Sequence, residues 1–223
     1  MTCAGDSGPC GTTSARSLAL GASTPWFAKR GSAHFAKRSD ADKGFCWARF
    51  GTRAAEVRAA IARDFDSAPA LKEFESTAEG TTLRVVDLPA LDPGPGTAAV
   101  TYSFGAASKR LMHVNVAWTS SPTATEAERN RYTGAGLQLA KYFQGLPWKP
   151  NGTTANRPQG PIGLLLFAGL DRKNSAVELH LAGIAIVQPS GPGPDPTGPT
   201  QLRIAYIANV QQPDVARVKA RAF

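Results

Sequence analysis

The stretch Leu111-Met112-His113-Val114-Asn115-Val116-Ala117-Trp118 alternates between two kinds of side chain. Along an extended backbone Met112, Val114, Val116 and Trp118 point one way, and His113, Asn115 and Ala117 point the other. This is the pattern of a strand with one face in a core and one face open. Upstream, Ala98–Phe104 reads as a second strand, and the turn residues between 105 and 110 join the two in a hairpin. Residues 162–170 and 176–187 repeat the arrangement around a turn at 171–175. Hairpins impose antiparallel pairing. The expected class is therefore α+β, a largely antiparallel sheet with helices packed on one face.

Working outward, Thr52 caps a helix carrying Ala54, Val57, Ile61 and Phe65 at helical spacing. Asp66 and Ser67 precede a short second helix, with Pro69 in its first turn and Leu71 and Phe74 facing inward. Residues 81–88 form a strand, and 89–96, rich in Pro and Gly, form a loop. Thr123 and Glu126 make a capping box for the longest helix, whose stripe is Tyr132, Gly136, Leu139 and Phe143. Gly134 and Gly136 inside it point to close packing. A loop runs on to Pro161. Residues 202–208 are a last strand, and Pro213-Asp214 opens a terminal helix ending in Arg217, Lys219 and Arg221. The order is ααβββαβββα, and the echo between residues 100–104 and 164–167 points to internal duplication.

The expected core is Val85, Val100, Tyr102, Phe104, Val114, Val116, Leu165, Phe167, Leu179, Leu181, Ile204 and Tyr206, covered by Leu139 and Phe143. Leu164, Leu165 and Leu166 are apolar on both sides, which predicts a central strand covered on both faces. Arg84 is polar-facing by alternation.

The 223 residues divide into a segment 1–44, disordered or processed, and a single domain over 45–223. The first fifty residues carry half of the net charge of +8, leaving the body at +4 with mixed signs. A nucleic-acid partner is not expected from such a body, because it would call for a dense basic stripe. All three cysteines (Cys3, Cys10 and Cys46) lie in the first fifty residues, so no disulfide framework or cysteine metal site holds the body together. The longest apolar run is half of what a membrane helix needs, so no transmembrane segment is expected.

No Gly-x-Ser-x-Gly elbow, phosphate loop or dinucleotide fingerprint occurs. The segment Cys3-Ala4-Gly5-Asp6-Ser7-Gly8-Pro9 echoes the nucleophile segment of trypsin-like proteases. Nothing precedes Ser7 to supply the His and Asp of a triad, and a triad is defined by geometry. Each hairpin shows one histidine on its polar face. Two readings stand side by side: a metal or acid–base cluster of His113, Glu178 and His180, or two histidines on the solvated side of a sheet. Trp148, with Tyr142, is either a binding anchor or a lid on the core. Phe45, Trp47 and Phe50 are expected to pack on the first helix. No metal and no cofactor is expected.

The run Phe50-Gly51-Thr52-Arg53-Ala54-Ala55-Glu56-Val57, with Leu111-Met112-His113-Val114-Asn115-Val116, resembles small bacterial envelope domains built as two helices on an antiparallel sheet. Examples are the small lipoprotein of the barrel-assembly machinery and the tandem-repeat β-lactamase inhibitor protein. The resemblance covers about residues 50–118. It implies an exported, non-enzymatic bacterial protein that binds another protein or an envelope component, in the periplasm or secreted. No convincing signal peptide stands at the start, and a cytoplasmic address is the alternative. The competing functions are a hydrolase or isomerase using His113 or His180, and a binder of anionic polymers through the basic tail.

Overall fold

The computed structural model describes residues 44–46, 48–65, 70–76, 79–188, 191–192 and 198–216. The expectations for residues 1–43, for Trp47 and for 217–223 lie outside the described residues. The protein is α+β. Two helices, α1 (Ala54–Asp64) and α2 (Glu126–Gln144), occur among the described residues. The strands are β1 (Lys72–Ser76), β2 (Thr81–Leu88), β3 (Ala98–Phe104), β4 (Leu111–Thr119), β5 (Thr153–Pro158), β6 (Gly163–Leu170), β7 (Ala176–Ala182), β8 (Val187–Gln188), β9 (Gly191–Pro192) and β10 (Gln201–Ile207).

Eight strands form one antiparallel sheet in the order β1-β2-β3-β4-β10-β7-β6-β5, while β8 and β9 pair only with each other. The last strand thus enters the middle of the sheet, between the two hairpins. Arg129 in the first turns of α2 helps to hold it there. Its guanidinium donates to the carbonyls of Gly183 and Gly198 at 2.7 and 3.0 Å and to the Thr200 hydroxyl at 2.8 Å. The end of β7 and the approach to β10 are thereby tied to one helix.

The helix α2 starts where its cap chemistry dictates. Thr125 and Glu128 form the capping box, two residues later than the expected Thr123 and Glu126. Its buried face includes Tyr132, Gly136, Leu139 and Phe143, the expected stripe. At Gly136 an added Cβ would lie 2.6 Å from Leu166 Cδ1 and 3.2 Å from Leu202 Cδ1, so the helix sits on the sheet at this glycine. At Gly134 nothing stands within 4 Å. In α1 the Glu56 carboxylate accepts from the Arg53 backbone N–H at 2.7 Å, and Val57 and Ile61 are buried. Its cap is therefore Arg53 rather than Thr52.

Among the described residues the expected order is departed from in three places. The second helix is replaced from Lys72 by β1, which pairs with β2 and closes its turn with a bond from Gly80 N–H to Ser76 O. Leu71 and Phe74 fit a helical spacing, but pairing with β2 satisfies the backbone of this segment, and Phe74 is 52% exposed. The loop expected before Pro161 contains β5, the far edge strand. Residues 213–216 are not helical. Asp214 accepts from the backbone N–H groups of Ala107 and Ser108, and Ala216 N–H donates to Glu79 O. These bonds hold the segment extended across the tips of two hairpins.

The core lies between the sheet and the helices. Val100, Tyr102, Phe104, Val114, Val116, Phe167, Leu179, Leu181, Ile204, Tyr206, Leu139 and Phe143 are all buried as expected. Phe143 stacks on Phe167, with ring centroids 6.1 Å apart, and meets Tyr206 edge-on at 6.3 Å. Phe45, 1% exposed, lies 5.7 Å from Tyr206.

Val85 and Leu165 depart from the expected core: both are only half-buried. Val85 pairs with Thr101 on the outer face, and the core residue of β2 is Val86. The inverse correction applies to Arg84, which pairs with buried Tyr102 and so faces the helices. In β6 a bulge at Leu166 breaks the alternation. Leu166 and Phe167 both enter the core, leaving Leu165 outside, so the triple leucine marks a bulge and not a strand covered on both faces. A second bulge at Met112 places Leu111, rather than Met112, in the core.

Both edges of the sheet are blunted. β1 carries Lys72, Glu73 and Glu75, and β5 ends in Arg157-Pro158, with Asn156 at a positive φ of 53°. Charge, proline and a kinked backbone discourage another strand from adding there.

Candidate binding face of the sheet

The register fixes which side chains share the face turned away from the helices. One rung holds Ser103, His113 and Ile207. The next holds Thr101, Asn115, Ala205 and Glu178. The third holds Ala117, Arg203, His180 and Leu165. Strand β10 therefore runs through the middle of this face and places Arg203 between the two histidine-bearing hairpins.

The expected three-residue cluster divides. His180 Nε2 lies 3.0 Å from Glu178 Oε2, and His180 Nδ1 lies 2.8 Å from Gln159 Oε1. The hydrogen bond from His180 holds the Glu178 carboxyl below its ordinary value, against the opposing effect of burial. His113 is not part of this group. It pairs with Ile207, whereas His180 pairs with Arg203, four residues along β10. One intervening strand and four residues of register put the histidines roughly 16 Å apart. Among the described residues no group of three His, Cys, Asp or Glu side chains is placed to hold a metal ion. The cluster reading of His113, Glu178 and His180 is corrected to a His180–Glu178 pair extended by Gln159. The sequence could not reveal this, because the separation depends on β10 being inserted between β4 and β7.

His113 and Asn115 sit two residues apart on β4 with a different problem. Nε2 of His113 and Oδ1 of Asn115 are both out of solvent contact, and neither has a hydrogen-bond partner. Burial pushes the His113 imidazole below its ordinary value of 6.5. The Arg203 charge adds to that, and Glu178 and Glu79 oppose it. The ring is therefore neutral near pH 7, with one N–H and one lone pair. Arg203 is half-buried and, among the described residues, no hydrogen bond or ion pair engages its guanidinium. The other cations of this face lie at its edges. Lys72 is paired with Asp87 at 2.9 Å, and Arg157 is exposed. Arg203 escaped sequence reasoning, although its signal was there: a lone charge in the apolar strand Gln201–Ile207.

Trp148 and Tyr142, the possible anchors, belong to the opposite side of the sheet. Trp148 Nε1–H donates to Phe143 O at 2.7 Å, and its ring lies 5.5 Å from Phe167. A Cβ at Gly169 would come within 2.5 Å of the indole, so the ring lies on the sheet where there is no side chain. Tyr142 packs edge-on to Phe143 at 5.3 Å, and burial pushes its hydroxyl up to about 12. Both are half-buried and cover the core. Phe45 and Phe50 pack against the same core, and burial pushes the Cys46 thiol up, so it is not a reactive thiolate at neutral pH.

No helix among the described residues is long and apolar enough to cross a membrane. Comparison with protein-family models, with curated proteins and with solved structures finds no match.

Proposed function

We propose that this protein is a non-enzymatic binding protein and that its partner docks on the face of the sheet turned away from α1 and α2. The observation that carries the reading is the row of half-buried side chains with unpartnered polar groups on this face: Arg203, Asn115 on the next rung and His113 on the rung beyond. Half-buried polar groups without partners are costly in a free protein, and a partner's polar groups offset that cost. The hydrolase or isomerase alternative is less well supported. A general base needs a free lone pair within reach of substrate. Both ring nitrogens of His180 are engaged, and Nε2 of His113 is out of solvent contact. The anionic-polymer alternative rests on the basic tail, which lies outside the described residues; on this face such a binder would need several unpaired cations in a row, and the centre offers Arg203. The blunted edges leave face-on docking as the mode. A protein or envelope partner in a bacterial periplasm or outside the cell belongs to the same proposal.

Fragment screening by NMR on isotopically labelled protein tests it. Shift changes should cluster on Thr101, Asn115, Ala117 and Arg203. Clustering on the helix side, around Leu137 or Tyr132, overturns the proposal.

A further inference from the structure

The chemistry of the partner can be read from the same face, an inference that rests on the binding reading above. Arg203 presents five N–H donors in a planar fork suited to a carboxylate. On the neighbouring rung, the Asn115 amide can turn a donor toward the same anion. Glu178, on the neighbouring rung, bonds to His180 and makes no hydrogen bond to the guanidinium, although the Arg203 charge acts on its carboxylate. Toward β1 the face carries an apolar patch beside the Lys72–Asp87 pair. Val85 and Leu83 are half-buried on β2, and Phe74, paired with Leu83, is 52% exposed. From Arg203 the sheet crosses three strand spacings and two residues of register to Val85, and four residues of register to Leu83, roughly 16 and 20 Å, which an extended chain covers in about five to six residues.

We propose that the face recognises an acidic peptide segment of a protein partner. One Asp or Glu side chain is bound at Arg203, with Asn115 on the neighbouring rung, and a large apolar side chain about four to six residues away rests on Val85, Leu83 and Phe74. A nucleic acid fits less well, since a single unpaired cation with the Glu178 carboxylate on the next rung is no phosphate-tracking stripe.

Display of random twelve-residue peptides against the full chain is the test, followed by affinity measurement on the enriched peptides. The expected result is enrichment of an acidic residue four to six positions from an aromatic or aliphatic one. Affinity should fall about tenfold or more in Arg203→Met, with Arg203→Lys intermediate, and it should also fall in Val85→Asp. Unchanged melting curves keep these losses separate from unfolding. Peptides without an acidic residue, or indifferent to Arg203→Met yet sensitive to Val85→Asp, overturn the acidic-segment inference and leave the binding face standing. Enriched peptides insensitive to every substitution on this face, or no enrichment, overturn both.

Discussion

The guanidinium of Arg84 stands 5.7 Å from the centroid of the Phe104 ring. It donates to Ala54 O at 2.9 Å and to Glu73 Oε2 at 2.8 Å. A single side chain thus joins the start of α1, strand β3 and edge strand β1. Its side chain is 14% exposed, whereas that of Glu73 is 52% exposed. Alternation alone makes Arg84 a solvated residue whose loss is cheap, but this geometry reverses that expectation. Arg84→Ala should destabilise by about 1–3 kcal/mol, through the lost carbonyl bond and ring contact. Glu73→Ala should cost less than about 1 kcal/mol, since it removes only a screened pair. Thermal melts of the two variants decide the matter, and equal small shifts would put Arg84 in solvent.

Phe167 is 1% exposed and packs between Phe143 and Trp148. Phe167→Ala should cost about 3–5 kcal/mol, because a close-packed interior refills such a cavity only partly. Denaturant titration should show the midpoint falling with an unchanged slope.

Tyr102 places its hydroxyl in the core, fully out of solvent, with no hydrogen-bond partner. Burial is also the main cause that pushes its pKa well above the ordinary value. A desolvated hydroxyl without a partner is a net cost. Tyr102→Phe should therefore leave stability unchanged or raise it by about 1 kcal/mol. A loss of more than about 1 kcal/mol in calorimetry would show that the hydroxyl is bonded in solution.

The two glycines of α2 predict opposite outcomes. Gly134→Ala, with open space at its Cβ, should stabilise by up to about 1 kcal/mol through helix propensity. Gly136→Ala must displace Leu166 and Leu202, and should destabilise by about 1–3 kcal/mol despite the same propensity gain. Unfolding curves in which both variants moved together would mean that α2 sits farther from the sheet.

His113 links stability to pH. Its folded value lies below the ordinary 6.5 because burial, then Arg203, disfavours the charged ring. The unfolded chain therefore binds more protons in the window between the lowered value and 6.5. Stability is full above 6.5 and falls as the pH drops through that window, by no more than about 1.4 kcal/mol per pH unit for one group. His113→Gln should flatten the slope between pH 7 and pH 5. An identical slope in that variant would assign the dependence to other groups.

Sequence patterning by itself determined the class, the two central hairpins and the buried stripe of α2. Each of these rests on local periodicity: Val114 and Val116 alternate with Asn115, and Tyr132, Gly136, Leu139 and Phe143 recur on one helical face. It also placed His113, Glu178 and His180 on polar faces. Only the tertiary structure decided what those faces meet. A bulge at Leu166 and another at Met112 shift the phase of a strand with no local mark beyond a run of apolar residues. Val85 and Arg84 exchange faces because β2 is held by its pairing with β3, and a shift of one residue turns every side chain over. The binding centre itself depends on strand order. Arg203 lies 88 residues after Asn115 in the numbering. The two come together because β10 pairs with β4, a non-local contact that periodicity does not encode.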